Sequence, residues 1–215
     1  VFLGRFYQYN TYVSYILGDI EQAERWSALA DKLLFALKTD FPTPDHYLFK
    51  GLILTGKWKK ASASERSRIK LMLDEILKKL KKWAENCPEN FEHKYYLLSA
   101  EVAIMKNRPL ETIIQLFQKA TDCIGGNDFI QLRALSNELC GRFWLERDNH
   151  IVGRAYMREA YYLYGKWGAD RKLALMDKEF GSFFTRTTAI ADSRSSAAAA
   201  SLMDMDSIIK STQAI

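Results

Sequence analysis

Apolar side chains recur every three or four residues along most of this chain, and that spacing predicts amphipathic α-helices. The stretch from 20 to 38 gives the clearest example. Its apolar positions are Ile20, Ala23, Trp26, Ala30, Leu33, Leu34 and Leu37. Glycine and proline number only 11 and 4, which favours helices over many short strands joined by turns. The pattern therefore predicts an all-α fold.

Turn-forming residues divide the predicted helices into antiparallel pairs. The predicted turns lie near Gly18, Gly56, Asn107 and Asp148. Their intervals of 38, 51 and 41 residues indicate stacked helical hairpins. The predicted helices start near Phe2 and then cover 20–38, 45–56, 63–86, 89–106, 109–124, 128–147, 150–167 and 170–184. Asn127 is a predicted N-cap, and Gly168 is a predicted C-terminal stop.

The second helices of three pairs share a pattern at offsets 0, 3, 4 and 7, which lie on one helix face. The matching sets are Ala23, Trp26, Ser27 and Ala30; Ile113, Leu116, Phe117 and Ala120; and Gly153, Tyr156, Met157 and Ala160. Each set closes with alanine, which lets two helices approach closely. This pattern over residues 1–168 resembles tetratricopeptide repeats and implies a degenerate α-solenoid. The second pair departs from it, because Lys70 stands seven residues after Ala63.

Residues 51–58, GLILTGKW, differ by one letter from a phosphate-binding loop, with Trp58 in place of the Ser or Thr. Such a loop follows a strand, and its hydroxyl binds magnesium. The preceding residues do not form a strand pattern, and Trp58 has no hydroxyl. We therefore expect no nucleotide or other cofactor here. Instead, we expect Gly51 to permit close helix approach and Gly56 with Lys57 to form the hairpin turn.

Residues suited to catalysis or metal binding are sparse. The histidines are His46, His93 and His150, and none has a second ligand at metal spacing on its predicted face. We expect them at the surface or at helix caps. The cysteines are Cys87, Cys123 and Cys140, whose spacings of 36 and 17 fit no zinc motif. We expect reduced core thiols in a cytoplasmic protein, with no metal site and no catalytic residue, so that this segment is not an enzyme.

Positive charge concentrates in residues 57–82, which hold ten Lys or Arg and three acids, whereas the whole chain carries +5. The candidate partner-binding residues are Lys59, Lys60, Arg66, Arg68, Lys78, Lys79, Lys81 and Lys82. One interpretation is a solvated helix with lysines near its C-terminus, where the helix dipole favours them. A surface for an acidic protein segment comes next. Nucleic-acid binding with help from Trp58 and Trp83 is the third interpretation.

The sequence changes character after Phe184. Residues 185–201 are small, polar and of low complexity, which predicts a flexible linker. Residues 202–215 space apolar positions close to a heptad, which predicts the start of a signalling helix or coiled coil leading to a further domain. We expect the repeat domain to cover 1–184, and the full protein to be able to dimerise through that helix. No apolar run approaches the roughly 20 residues that span a bilayer.

Two stretches, 160–173 and 201–215, resemble segments of large multidomain sensor histidine kinases. The first resembles a YxxWGAxxK-like closing segment of their helical repeats. Its matching residues are Tyr164, Trp167, Gly168, Ala169 and Lys172. The second resembles a run, written vlKaSQaIS, that precedes a GAF domain. Its matching residues are Leu202, Asp204, Lys210, Ser211, Gln213, Ala214 and Ile215.

The resemblance implies an ATPase of the AAA/STAND type upstream and a sensor and kinase module downstream. This segment would then be a non-catalytic scaffold that relays between them and binds protein or peptide partners. The alternative is a free-standing repeat adaptor for protein partners. A helical protein that binds nucleic acid through 57–82 is the least favoured interpretation.

Overall fold

The structure is a computed structural model that describes residues 2–34, 43–124 and 129–184, and these residues form helices without any strand. The helices are α1 (Phe2–Ile16), α2 (Ile20–Asp31), α3 (Thr43–Lys57), α4 (Ala63–Asn86), α5 (Pro88–Met105), α6 (Leu110–Asp122), α7 (Ile130–Leu145), α8 (His150–Trp167) and α9 (Asp170–Phe184). The predicted all-α fold is confirmed. None of the helices in these ranges is both long and apolar enough to cross a membrane.

The helices pack as consecutive hairpins. α1 pairs with α2, α3 with α4, α5 with α6 and α7 with α8, and α9 packs against α8. The hairpins stack because α3 also contacts α1 and α5, while α4 lies against α5. The predicted helical-repeat architecture is therefore confirmed. The predicted linker at 185–201 and the predicted signalling helix at 202–215 lie outside the described residues.

Residues with positive φ end the first helix in three hairpins. Gly18 has φ 81°, Asn107 has φ 49° and Asp148 has φ 59°. Glycine adopts this left-handed conformation freely, and Asn and Asp tolerate it better than most residues. Gly168, with φ 80°, ends α8 as predicted. These are the turn positions that the sequence indicated.

The turn of the second hairpin differs from the prediction. Gly56 and Lys57 belong to the last turn of α3, and a short 3₁₀ turn, Trp58–Lys60, follows them. Ser62 then caps α4: its side chain accepts from the backbone of Glu65, whose carboxylate accepts from the backbone of Ser62. This capping box fixes where α4 begins, so the connection lies after Gly56 and Lys57.

Two other predicted boundaries are wrong. α2 ends at Asp31 rather than at 38, because the N–H of Leu33 bonds the carbonyl of Ala30 and tightens the chain into a 3₁₀-like turn. The helix that was expected to begin at 128 begins at Ile130, after Phe129 with φ 49°. The predicted N-cap, Asn127, lies outside the described residues.

Small residues at the helix crossings behave as the repeat pattern predicted. The alanines Ala23, Ala30, Ala120 and Ala160 are all fully buried. Gly51 also permits close approach as expected, because a methyl group at this position would lie 2.6 Å from Cδ2 of Leu98 on α5. Large apolar side chains then fill the spaces between hairpins. The largest fully buried ones include Phe49, Leu52, Leu73, Leu97, Leu135 and Tyr164.

The stack curls so strongly that hairpins distant in sequence touch. Lys59, after α3, forms an ion pair of 2.7 Å with Glu146, after α7. The ring of Tyr12 on α1 lies 6.0 Å from the ring of Trp167 at the end of α8. The first helices α1, α3, α5 and α7 therefore face a common interior, and cavities form where their ends meet.

Candidate functional site

A groove of about 570 Å³ opens between the C-terminal ends of α3, α5 and α7. These are the first helices of three successive hairpins, so we name it the turn-side groove. Its lining residues are Thr55, Gly56, Trp58, Lys59, Arg66, Glu101, Ile104, Met105, Asn107, Leu139, Arg142, Phe143 and Glu146. Apolar walls with a few convergent charged groups are typical of binding sites. The groove is the candidate functional site.

The ion pair between Lys59 and Glu146 crosses one side of the turn-side groove. Nζ of Lys59 donates to Oε2 of Glu146 at 2.7 Å, although the two residues are 87 positions apart in the chain. Both side chains are largely exposed, so the pair contributes little to stability. The pair shows that the α3–α4 turn lies beside the α7–α8 turn.

Arg66 holds the other edge of the groove. Its Nε and Nη2 donate to the carbonyls of Trp58 and Lys59 at 3.2 and 3.3 Å. Its guanidinium lies 5.5 Å from the centre of the Trp58 ring, within range of a cation–π contact. These contacts satisfy carbonyls of the 3₁₀ turn, and they place a positive charge at the mouth of the groove.

Arg142 connects the turn-side groove with α9. It lines the groove, and its Nε donates to Oε1 of Glu138 on the same helix at 3.1 Å. Its Nη1 and Nη2 donate to the two carboxylate oxygens of Glu179 on α9 at 2.6 and 2.7 Å. A two-pronged contact of this kind fixes orientation as well as distance. Any group that attracts Arg142 into the groove would compete with the bonds between Arg142 and Glu179 of α9.

Glu138 is the centre of a buried polar cluster, which we call the Glu138 cluster. Its side chain lies within the core, with the residue only 3% exposed. Its Oε2 accepts from the hydroxyl of Tyr164 at 2.9 Å, and its Oε1 accepts from Nζ of Lys172 at 2.8 Å. Lys172 is buried as well. The cluster therefore joins α7, α8 and α9 through charged groups that have little water to bond instead.

The Glu138 cluster gives a structural role to the stretch 160–173. Tyr164 and Lys172, two residues of its YxxWGAxxK-like pattern, both bind Glu138. Gly168 makes the left-handed turn between them, and the N–H of Ala169 bonds the carbonyl of Tyr164 at 3.0 Å. The pattern thus builds the junction between α8 and α9.

Sequence reasoning did not single out Glu138, Arg142 or Glu179. The segment 134–138 is buried at every position, so the usual polar face of a helix is missing there. Because this segment includes Ser136, Asn137 and Glu138, its burial is visible only in the structure, and no pattern in the sequence indicated the buried pair.

Glu101 lies in the wall of the turn-side groove on α5. Burial raises the pKa of its carboxyl to about 7, the nearby charge of Glu146 adds to the rise, and Lys59 opposes it. The ordinary pKa of such a group is 4.5. The groove therefore changes its charge close to neutral pH.

Glu101→Gln is expected to remove a pH dependence of stability. A carboxyl whose pKa is raised by folding stabilises the folded state below about pH 4.5, and this contribution is lost as pH rises through about 7. The raised pKa corresponds to at most about 3 kcal/mol at pH 8. Urea unfolding from pH 5 to 8 should show the wild type losing stability relative to Glu101→Gln. Glu111→Gln, at an exposed site, is the control, and a constant difference across this range would contradict the prediction.

The predicted basic residues are all exposed, but they do not form one continuous face. They form two groups. The first is Lys59 and Lys60 in the 3₁₀ turn with Arg66 and Arg68 at the start of α4, and the second is Lys78, Lys79, Lys81 and Lys82 near the end of α4. At 1.5 Å per helical residue, the nearest members of the two groups, Arg68 and Lys78, are about 15 Å apart along the axis. Partner binding by either group stays a prediction.

The two tryptophans near these groups, Trp58 and Trp83, are both half-buried and pack against other parts of the protein. Lys79 donates to the hydroxyl of Tyr47 at 2.9 Å, and Trp83 packs against the rings of Tyr47 and Phe91. Trp58 lines the turn-side groove.

The histidines correct an expectation. His46 and His93 are 1% and 2% exposed, so the predicted surface or cap positions are wrong for both. The helical period places them on the buried faces of α3 and α5, where Nε2 of His46 lies 3.0 Å from Oδ1 of Asp31. Burial lowers the pKa of His93 to about 3, and the charge of Lys94 adds to this effect. His150 is exposed at the first position of α8, as expected.

The cysteines and acidic residues define no metal site in the part of the chain that the structure describes. Cys140 is buried as expected, whereas Cys87 and Cys123 are half-buried, and all three are free thiols. Burial raises the pKa of Cys123 to about 11, and a hydrogen bond to Glu92 contributes. This environment disfavours the reactive thiolate form.

Stacked hairpins with buried alanines at their crossings, and a groove lined by successive first helices, define a helical-repeat protein of the tetratricopeptide kind. The family described as CHK1-like, TPR repeats matches residues 32–186, and the chain belongs to this family. Repeats of this kind act as scaffolds that bind other proteins on extended surfaces. Comparison with curated proteins and with solved structures gave no match. The family match begins at Lys32, so α1 and α2 both precede it.

Proposed function

We propose that this segment is the helical-repeat relay of a cytoplasmic signalling histidine kinase, between an upstream ATPase module and a downstream sensor and kinase module. It binds a protein partner in the turn-side groove and transmits the bound state through α9. The observation that carries the relay is the double contact of Arg142, which lines the groove and binds both oxygens of Glu179 on α9. The likeness of 160–173 and 201–215 to sensor kinases supports the context.

The relay works by competition for one guanidinium. A carboxylate from a partner would attract Arg142 into the groove and weaken its bond to Glu179. α9 would then keep three bonds to its neighbours: Lys172 to Glu138 at 2.8 Å, Tyr161 to Asp177 at 3.1 Å, and Arg158 to the carbonyl of Phe183 at 2.9 Å, together with its apolar contacts. Its orientation would shift, and α9 leads directly to the residues that precede the next module. Rearranged side-chain pairs at packed interfaces are a common basis of such switches.

The proposal is tested in the full-length protein. Its reading frame should contain a GxxxxGK[S/T] loop upstream and a phospho-accepting histidine with ATP-binding glycine boxes downstream. Arg142→Gln should then change the rate of autophosphorylation by threefold or more, because α9 is released from the groove. Arg171→Gln, on the exposed side of α9, is the matched control and should leave the rate unchanged. Circular dichroism and thermal unfolding establish that both variants are folded.

Either of two results would overturn the proposal. A reading frame that stops soon after 215 and starts just before 1 leaves no kinase to regulate. The second function, a free-standing adaptor for protein partners, would then apply, and it is favoured by the family match to the repeats alone. An unchanged autophosphorylation rate in folded Arg142→Gln would instead remove the relay through α9.

A further inference from the structure

A second cavity, of about 180 Å³, lies between α1, α3 and α7. We name it the α1–α3–α7 pocket. It shares no lining residue with the turn-side groove, so its function does not depend on the relay proposed above. A water molecule occupies about 30 Å³ in the liquid, so the pocket has room for several waters or one side chain.

Three buried polar atoms at this pocket have no hydrogen-bond partner among the described residues. Gln8 is only 3% exposed, yet neither its Oε1 nor its Nε2 has a hydrogen bond within the described residues. The hydroxyl of Tyr12, one turn further along α1, is also without a partner there. Buried polar side chains without partners destabilise a protein and are rare in native structures. Three such atoms around one cavity can bond water or a polar group that enters it.

The pocket selects against charged ligands of either sign. Asp45 lines it, and Oδ1 of Asp45 lies 3.4 Å from the buried Nζ of Lys94. A cation would have to compete with Lys94 for this carboxylate. An anion would be repelled by the same carboxylate. Burial raises the pKa of Asp45, with the charge of Lys94 opposing the rise. The preferred ligand is neutral and carries both a donor and an acceptor.

The Gln8 carboxamide presents a donor beside an acceptor, which is the complement of another carboxamide. Two amides can form a pair of parallel hydrogen bonds, and the hydroxyl of Tyr12 can bond an oxygen or nitrogen that remains. Phe49 and Leu132 supply apolar walls for the methylene stem of such a group. Because these features agree, we propose that the α1–α3–α7 pocket binds the carboxamide of an asparagine or glutamine side chain from a partner protein.

The surface beside the pocket favours a protein over a free small amide. Tyr9, at the mouth, is 56% exposed, and it belongs to a row of exposed apolar residues along α1. The others in the row are Phe2, Phe6 and Val13. Side chains at this spacing lie on one helix face, and an exposed apolar row is typical of a protein contact. A partner segment could pack on this row while its amide side chain enters the pocket.

The test uses the 215-residue chain labelled with ¹⁵N, and the side-chain NH₂ resonance of Gln8 as the reporter. The peptide probe is N-acetyl-glutamine methylamide. N-acetyl-methionine methylamide is the matched control, because it has the same backbone and a similar length without the carboxamide. We expect saturable shifts of the Gln8 resonance, and at least tenfold tighter binding of the glutamine probe than of the methionine control. Acetamide alone should bind more weakly than the glutamine probe.

Gln8→Met should abolish the preference for the glutamine probe and raise the melting temperature of the free protein by about 2–4 °C, because methionine has no polar atom to leave unpaired. Gln115→Met, at an exposed site on α6, should change neither. Tyr12→Phe removes only a hydroxyl and should lower the affinity for the glutamine probe at least threefold. This variant provides the test if Gln8→Met does not fold.

Equal affinity for the two peptide probes, or no saturable shift, would overturn the proposal. A lower melting temperature of Gln8→Met would mean that ordered water already bonds Gln8, and would also overturn it. Tighter binding of acetamide than of the glutamine probe would overturn the proposal that the carboxamide comes from a partner protein. The ligand would then be a small amide.

Discussion

Glu138→Gln is expected to lower the free energy of unfolding by about 3–5 kcal/mol, the usual result of breaking a buried ion pair from one side. Glutamine has nearly the same shape, so the loss reports charge and hydrogen bonding rather than a cavity. Lys172 would keep its ammonium inside the protein, 2.8 Å from an amide in place of a carboxylate. Urea unfolding at pH 7 measures the effect.

Two comparisons isolate the contribution of the Glu138 cluster. Glu179→Gln removes the more exposed partner of Arg142, and we expect at most about 1 kcal/mol from it. Adding Lys172→Met to Glu138→Gln should recover part of the lost stability, with a coupling energy above about 1 kcal/mol in a double-mutant cycle. A Glu138→Gln protein within about 0.5 kcal/mol of the wild type would show that the cluster does not hold α7, α8 and α9 together.

Gly141→Val is expected to lower the free energy of unfolding by about 3 kcal/mol or more, because α7 and α8 cross where they have no room for a side chain. A methyl group at Gly141 would lie 2.8 Å from Sδ of Met157 and 3.2 Å from the carbonyl oxygen of Gly153. Met157 can move only within a fully buried site, and the carbonyl belongs to the facing helix. Thermal and urea unfolding provide the measurement.

Gly56→Ala is the matched control for Gly141→Val. Gly56 also lies within a helix, but a methyl group there would have no atom within 4 Å. Because alanine favours helix more than glycine does, this change should raise stability by about 0.5–1 kcal/mol. If Gly141→Val were as stable as the wild type, α7 and α8 would not be packed as closely as their glycines indicate.

The sequence predicted those features that depend on local spacing. The helical period placed α4 and α9 at their observed bounds of 63–86 and 170–184. The repeated alanines, such as Ala120 and Ala160, marked the buried crossings. Turn residues identified three of the four hairpin turns. These features depend on residues within about one helical turn of each other, so local sequence patterns are enough to predict them.

The candidate site depended on distant residues, and the sequence did not predict it. Glu138 meets its partners Tyr164 and Lys172 at separations of 26 and 34 residues, and Lys59 meets Glu146 at 87. The helical period predicts that a face is buried, but not that a charged residue on it has a partner. The same limit explains why His46 was expected at the surface.

The curl of the stack bears on how this domain can evolve. In an open array where each repeat touches only its neighbours, a repeat can be duplicated or deleted without disturbing the others. Here Tyr12 lies beside Trp167, and Lys59 pairs with Glu146, so hairpins that are not neighbours touch across the interior. An added or missing hairpin would separate these pairs. The contacts therefore constrain the number of hairpins between α1 and α8, and we expect related chains to vary in the loops of this region rather than in its repeat count.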